Sequence, residues 1–396
     1  MRILYIALDQ TVPGTVGGSV HVQAVADGLA SLGHEVHVAC QIGHKPEITS
    51  GVISGEIENY TRRRFWHHLA PPFSIAQLRW ARRGAVEQLA REVGAEVIIE
   101  RYYNFGGEGV LAADAIGIPS VLEVNAPIID YPGSPKRMLD RVLLVEPMRR
   151  WRERLCRLAS LFVTPTASIL PEWIDRRRVL EIEWGADVDR FHPGAAMRTP
   201  PVDGADSDRI QCVFAGAFRR WHGAIHLAHS LARRHRAGDR RFSGVFIGDG
   251  PERRATQHAA AGIPSVTFTG RVPHDDLPPH LAAADIGVAP FDSAAHPPLQ
   301  LSFYWSPLKI FEYMATGLPV VAPALPRLTK LVEHGREGWL YDPADPQGLD
   351  NALIALAEND RRRALGAAAR DRVVRDFSWT AHCRALAARL GNLHRQ

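Results

Sequence analysis

Continuous β-prone runs alternating with helix-like stretches constrain this chain more than any other feature. MRILYIAL (1–8), AEVIIE (95–100), IPSVLEV (118–124) and LFVT (161–164) are unbroken apolar runs rather than polar–apolar alternations. Such runs mark strands covered on both faces, and strands separated by helices build parallel sheets. A second series runs through RIQCVFAGAF (209–218), FSGVFIGDGP (242–251), VTFTGRVP (266–273), ADIGVAPF (284–291) and PVVAP (319–323). Between the two lies PGAAMRTPPVDGADSD (193–208), rich in Pro, Gly and Asp, which reads as a linker. The expected architecture is α/β, with doubly wound Rossmann-like domains over 1–192 and 209–375 and a last helix over 376–396.

A length of 396 residues with 46% hydrophobic content leaves room for two full cores. Lys and Arg exceed Asp and Glu by 47 to 43, which suits anionic ligands, and no long basic run calls for nucleic acid. Cys40, Cys156, Cys212 and Cys383 are far apart and lack metal-type spacing, so reduced, buried thiols in a cytoplasmic protein are expected. The chain enters directly as a strand without a leader pattern, and no apolar run approaches the ~18 residues of a membrane span.

SPLKIFEYMATGLPVVAP (306–323) reads as a short helix entering a buried strand. Ser306 suits the N-cap, Pro307 and Leu308 the first turn, and Gly317 a left-handed stop. A helix N-terminus with Lys309 in its first turn suits a phosphate, and Glu312 on the same face can accept bonds from sugar hydroxyls. A solvated Lys–Glu pair is the other reading of the same residues. Gly17 and Gly18, after the first strand, let backbone N–H groups approach an anion. His21 behind them either reaches a ligand or is structural. TRRRFWHHLAPPF (61–73), in an irregular stretch over 43–72, is an acceptor loop, a weak contact with an anionic membrane surface or a phosphorylated acceptor, or a solvated loop. Helices are expected near 74–92 and 134–159. Glu100, Arg101 and Tyr102, and likewise Glu123 and Asn125, fall at strand ends, where open α/β sheets bind ligands.

FEYMATGLPVV (311–321) resembles the donor-site signature of retaining glycosyltransferases of the GT-B fold, family 4 in particular. In that signature Glu312 takes the position of the glutamate that binds the nucleotide ribose, while Tyr304 stands where a first glutamate is usual. GAFRRWHG (216–223) resembles the family's phosphate loop. Gly216 is retained, Ala217 and His222 replace the usual arginine and lysine, and Arg219 and Arg220 lie inside the loop. Gly248 in GDGP, Arg271 and Val272 in GRVP, and EHGREGWLYDPAD (333–345) follow family patterns, with Arg271 and Val272 implied at the nucleobase. EVNAP puts Asn125 where a histidine is common, and EIEWGADVDRFHP (181–193) resembles the family's inter-domain junction, with Trp184 for asparagine. Its Asp187 and Asp189 read as a structural turn rather than a metal motif, and no metal is expected.

The resemblance implies two domains facing each other across a cleft, with the last helix crossing back to the N-terminal domain. It implies transfer of a hexosyl group, with retention, from a nucleoside-diphosphate sugar (UDP being the commonest) used as co-substrate without a further cofactor. Lys309, Arg219, Arg220 and the helix start at Ser306–Leu308 would stabilise the leaving phosphate, with Glu123 and Asn125 near the transferred sugar. The acceptor is open between a cell-envelope glycan, a lipid-linked sugar and a small natural product, as in bacterial-type glycan or natural-product biosynthesis. The expected place is the cytoplasm, with peripheral contact at the inner face of the membrane left open. Two alternatives share the fold: a non-catalytic nucleotide-binding protein and a nucleotide-sugar epimerase. A nicotinamide oxidoreductase is disfavoured, because no G-x-G-x-x-G follows the first strand.

Overall fold

The computed structural model describes all residues except 15–16, 43–63, 69–80, 104–105, 132–133, 135–145, 196–208, 302 and 394–396. Its strands form two parallel sheets. The first contains β1 (Arg2–Val12), β2 (Glu35–Ile42), β3 (Arg64–His68), β4 (Val97–Arg101), β5 (Ser120–Glu123), β6 (Leu161–Thr164) and β7 (Val179–Glu181). Their order is β3-β2-β1-β4-β5-β6-β7. The second contains β8 (Ile210–Ala215), β9 (Phe242–Ile247), β10 (Val266–Gly270), β11 (Ile286–Val288), β12 (Val320–Pro323) and β13 (Gly338–Tyr341), in the order β10-β9-β8-β11-β12-β13.

Helices α1 (Gly17–Ser31), α2 (Ala81–Glu92), α3 (Glu108–Ile116) and α4 (Glu146–Leu158) belong to the first series. The second adds α5 (Ala224–Arg236), α6 (Arg253–Ala259), α7 (Leu277–Ala282), α8 (Leu308–Ala315), α9 (Leu328–Leu331), α10 (Gly348–Ala355) and α11 (Asn359–Asp376), and α12 (Trp379–Leu393) ends the chain.

The unbroken hydrophobicity of β1 has a direct cause. Ile3 and Tyr5 face a core shared with Val22, Val25 and Leu29 of α1 and with Leu386 and Leu390 of α12. Leu4 and Ile6 face the opposite core, with Val86 of α2 and Ala112 of α3. Successive residues thus enter different cores, each worth about 1.5–3 kcal/mol when fully buried. Gly28 lets α12 approach α1, since a Cβ there would lie 2.3 Å from Cys383 Sγ. All four cysteines are free and buried.

The chain divides into two compact units: Met1–Trp184 with Tyr304–Ser306 and Trp379–Gln396, and Gly185–Phe303 with Pro307–Ser378. The sequence reading differs at the junctions. Residues 185–192 belong to the second unit, because Arg370 of α11 donates to Val188 O and Phe191 O. Within the stretch expected to be irregular, Arg64–His68 is a strand paired with β2. The rest of 61–73 and most of the expected linker lie outside the described residues. The two expected long helices are described only as α2 and α4.

Candidate functional site

In the second unit, the loops after β8 and β9 and the start of α8 converge on Gly216. Gly216 has φ +139°, and Gly248 has φ +125° with its Cα against Gly216 O, where a Cβ would come within 2.0 Å. Only glycine fits both requirements. Gly223, at φ +71°, similarly abuts Pro290 O. The Tyr313 hydroxyl accepts the Ala215 N–H at 2.8 Å, which ties α8 to the end of β8, and Gly287 leaves room for the Tyr313 ring.

Lys309 lies in the first turn of α8 and is 9% exposed. Its Nζ sits 4.1 Å from the centre of the Phe214 ring and 5.2 Å from that of Phe291. Among the described residues Nζ has no hydrogen-bond partner. Burial lowers its pKa from 10.5 to about 7, with Glu312 opposing. His222 Nδ1 is also buried without a partner. Burial, then the nearby Lys309 charge, lower that imidazole to about 2, so it is neutral. A Cβ on Gly216 would lie 3.0 Å from Lys309 Nζ and 3.7 Å from His222 Nδ1, so the two polar atoms flank the glycine. A buried ammonium without a partner beside a bare backbone forms a cradle for an anion, bordered by the neutral His222 ring, which also bonds the Ala217 backbone.

Glu312 is engaged. His274 Nε2 lies 2.7 Å from its Oε1, and His274 Nδ1 lies 2.7 Å from Arg190 Nη2. Arg190 also pairs with Asp275 and Asp187. The sequence reading overlooked this chain, although His274 directly follows the GRVP segment. Asp187 accepts the Arg190 N–H at 3.1 Å, as a turn residue does. Arg219, Arg220 and Arg271 are exposed, and Val272 is half-buried. Ser306 does not cap α8: Pro307 precedes the helix without a side-chain cap, and the Ser306 hydroxyl donates to Glu183 at 2.6 Å while accepting the Trp184 N–H. Ser306 and the buried Tyr304 belong to the first unit, unlike Lys309.

The first unit carries a second polar cluster, at the carboxyl ends of β1, β4 and β5. Glu123 accepts from Tyr5 at 2.6 Å and from Arg101 at 3.2 Å, takes the Asn125 amide, and lies 2.7 Å from His21 Nε2. Burial pushes its carboxyl up, yet His21, Arg101 and Tyr5 together hold it well below the usual carboxylate range. Glu123 is therefore a paired anion, held in part by the neighbouring Arg101. Asn125 accepts from Trp184 Nε1 at 2.9 Å, and the Trp184 ring lies 4.4 Å from His21. Trp184 therefore supports this cluster, which its place in a junction motif had not suggested. Gly17 and Gly18 begin α1 rather than lie in a loop, and a Cβ on Gly18 would strike the Gln10 side chain.

Comparison with known proteins gives these sites a context. Residues 16–190 match the family described as Glycosyltransferase Family 4, and residues 209–359 match Glycosyl transferases group 1. The chain is 27% identical to a D-inositol 3-phosphate glycosyltransferase of Nocardioides sp., over 94% of this chain and 84% of that one. It is 28% identical to the GDP-mannose-dependent alpha-(1-6)-phosphatidylinositol monomannoside mannosyltransferase of Mycobacterium tuberculosis, over 53% and 54% of the two chains. Among solved structures, Anabaena HepE in complex with UDP and glucose superposes with a TM-score of 0.71 at 19% identity, over 99% of this chain and all of that one. The sucrose-phosphate synthase of Thermosynechococcus elongatus does so at 0.68 and 19%, over 100% and 98%. Two parallel sheets of this order, with these matches, define a glycosyltransferase of the two-domain α/β GT-B fold. The chain belongs to glycosyltransferase family 4.

Proposed function

We propose that the cradle around Gly216 binds the diphosphate of a nucleotide sugar, and that the enzyme transfers the hexosyl group to an acceptor hydroxyl with retention. The carrying observation is the buried Lys309 Nζ, without a partner among the described residues, beside a backbone that only glycine can form. A diphosphate would satisfy Lys309 and restore its full charge. Arg219 and Arg220, exposed in the same loop, add positive potential. Glu312, already oriented by His274, would accept the ribose hydroxyls, with Arg271 and Val272 beside the base.

In the reaction the bond from the anomeric carbon to the β-phosphate oxygen breaks as the acceptor oxygen bonds to that carbon. The leaving phosphate takes the acceptor proton, so no protein base is required. This accords with Glu123 being fully paired. The reading needs no metal and no cofactor besides the nucleotide sugar. UDP is favoured as the commonest carrier, and GDP is the named donor of the mycobacterial relative. Among the described residues no helix is long and apolar enough to cross a membrane. We place the reaction in the cytoplasm, with contact at the membrane face depending on the acceptor.

Calorimetric titration with UDP, GDP, ADP and dTDP is the test, on wild type, Lys309→Ala and Glu312→Ala. One diphosphate should bind at micromolar concentration and lose affinity in both variants. If none binds, or both variants match wild type, the assignment fails.

A further inference from the structure

One oxygen of the Glu312 carboxylate is committed and the other is not. His274 Nε2 lies 2.7 Å from Oε1, while Oε2 has no hydrogen-bond partner among the described residues. The pair is largely buried, with 10% of the Glu312 side chain and 20% of the imidazole exposed.

The imidazole is held from its far side. Arg190 Nη2 lies 2.7 Å from His274 Nδ1. A guanidinium has donors and no acceptor, so Nδ1 must accept, and the ring proton sits on Nε2, facing Glu312. Arg190 therefore sets the tautomer that donates to the carboxylate. Arg190 is itself fixed: it pairs with Asp275, lies 3.8 Å from Asp187, and sits 5.2 Å from the centre of the Phe191 ring. That ring is fully buried and lies 5.3 Å from the imidazole, and Phe191 O accepts from Arg370 of α11. The segment after β7, the turn after β10, and helices α8 and α11 thus converge on one carboxylate.

Ordering polar side chains in series costs rotamer entropy, and partly exposed ion pairs return little stability. What the series does deliver is a carboxylate placed before a ligand arrives, which lowers the entropy cost of binding. An acceptor-only group placed in this way selects for hydroxyl donors. A ligand that lacks one of them leaves the oxygen unpaired and is rejected.

We propose that His274 and Arg190 are positioning residues that hold Glu312 against the vicinal 2′- and 3′-hydroxyls of the donor, so that the enzyme takes ribonucleotide sugars and discriminates against 2′-deoxyribonucleotide ones. The proposal rests on the donor-site reading above and narrows the donor class.

The test is calorimetry on the full chain with UDP, GDP and ADP, each beside its 2′-deoxy form, together with dTDP and inorganic pyrophosphate. In wild type the best-bound ribonucleotide should bind about 10-fold or more tightly than its deoxy form. His274→Ala should reduce that ratio to about 3-fold or less by weakening the ribonucleotide alone, with the deoxy form and pyrophosphate bound as in wild type. His274→Gln, whose terminal amide donates from the place of Nε2, should recover most of the ratio. Arg190→Leu should lower it, since the ring loses the donor that sets its tautomer. Glu312→Ala should abolish it, and adding His274→Ala to that variant should change nothing further, because His274 acts only through Glu312. A wild-type ratio near one, dTDP bound more tightly than all three ribonucleotides, or a His274→Ala or Arg190→Leu variant that keeps the wild-type ratio overturns the proposal. So does an additive loss in the double variant, or loss of pyrophosphate binding in His274→Ala. If a diphosphate binds and needs Lys309 while the ratio ignores His274, the donor site stands and the positioning role falls. If neither diphosphates nor pyrophosphate bind, the donor reading falls and this proposal with it.

Discussion

Replacing Lys309 by Met should make the unliganded protein more stable and weaken its binding of a nucleoside diphosphate. The ammonium is 9% exposed, faces two aromatic rings and has no hydrogen-bond partner among the described residues. Its fall from 10.5 to about 7, at about 1.4 kcal/mol per tenfold change in proton affinity, sets a ceiling of about 5 kcal/mol on the cost of holding it there. Local relaxation and the attraction of the Phe214 ring reduce that figure, so a gain of about 2 kcal/mol is expected from an apolar side chain of similar length. For a unit of this size that is about 4–8 °C in melting temperature. Differential scanning calorimetry of the unliganded variant measures it, and titration with the diphosphate that wild type binds should show a loss of roughly 10- to 100-fold, the worth of a charge-assisted contact. A variant that melts lower than wild type and binds as tightly would refute the view that Lys309 is a strained cation kept for a ligand.

The same residue sets a pH dependence. Because its pKa is lowered on folding, the native state binds fewer protons than the unfolded chain between pH 7 and 10.5, and Lys309 makes unliganded stability rise with pH across that window. Diphosphate binding must restore the proton, so affinity should fall by up to ~10-fold per pH unit above 7, with proton uptake visible as a buffer-dependent binding enthalpy. Glu312→Ala should weaken diphosphate binding by ~10-fold or more if its carboxylate accepts ribose hydroxyls, and leave inorganic pyrophosphate binding unchanged. Gly248→Ala, which drives a Cβ to 2.0 Å from Gly216 O at φ +125°, should cost roughly 2–4 kcal/mol in denaturant titration and abolish binding. Glu123→Gln should cost about 3–5 kcal/mol by leaving Arg101 and His21 under-paired. In wild type that carboxylate, held low, contributes stability present above its ordinary value of 4.5 and lost as pH falls below it.

Much of this was legible in the sequence. The unbroken strands announced parallel sheets because each strand feeds two cores. The segment 306–323 announced its helix, its left-handed stop at Gly317 and its buried strand because capping and turn chemistry are local. Ser306 misled, since its hydroxyl is claimed by Glu183, 123 residues away, and no local rule sees that bond. The His274–Glu312 contact and the network around Glu123 were hidden for the same reason: Tyr5, His21, Arg101 and Trp184 meet only once the sheet has formed. The state of Lys309 was also out of reach, because spacing shows a charge but not whether anything pairs with it.

The packing of α12 against α1, with Cys383 lodged over Gly28, bears on how the protein is made. The ribosome finishes the second unit's residues before it reaches Trp379. Until α12 is made the first sheet therefore lacks one of its covering helices, and the face of α1 that receives Leu386 and Leu390 stays open. The whole second unit is synthesised while that face waits.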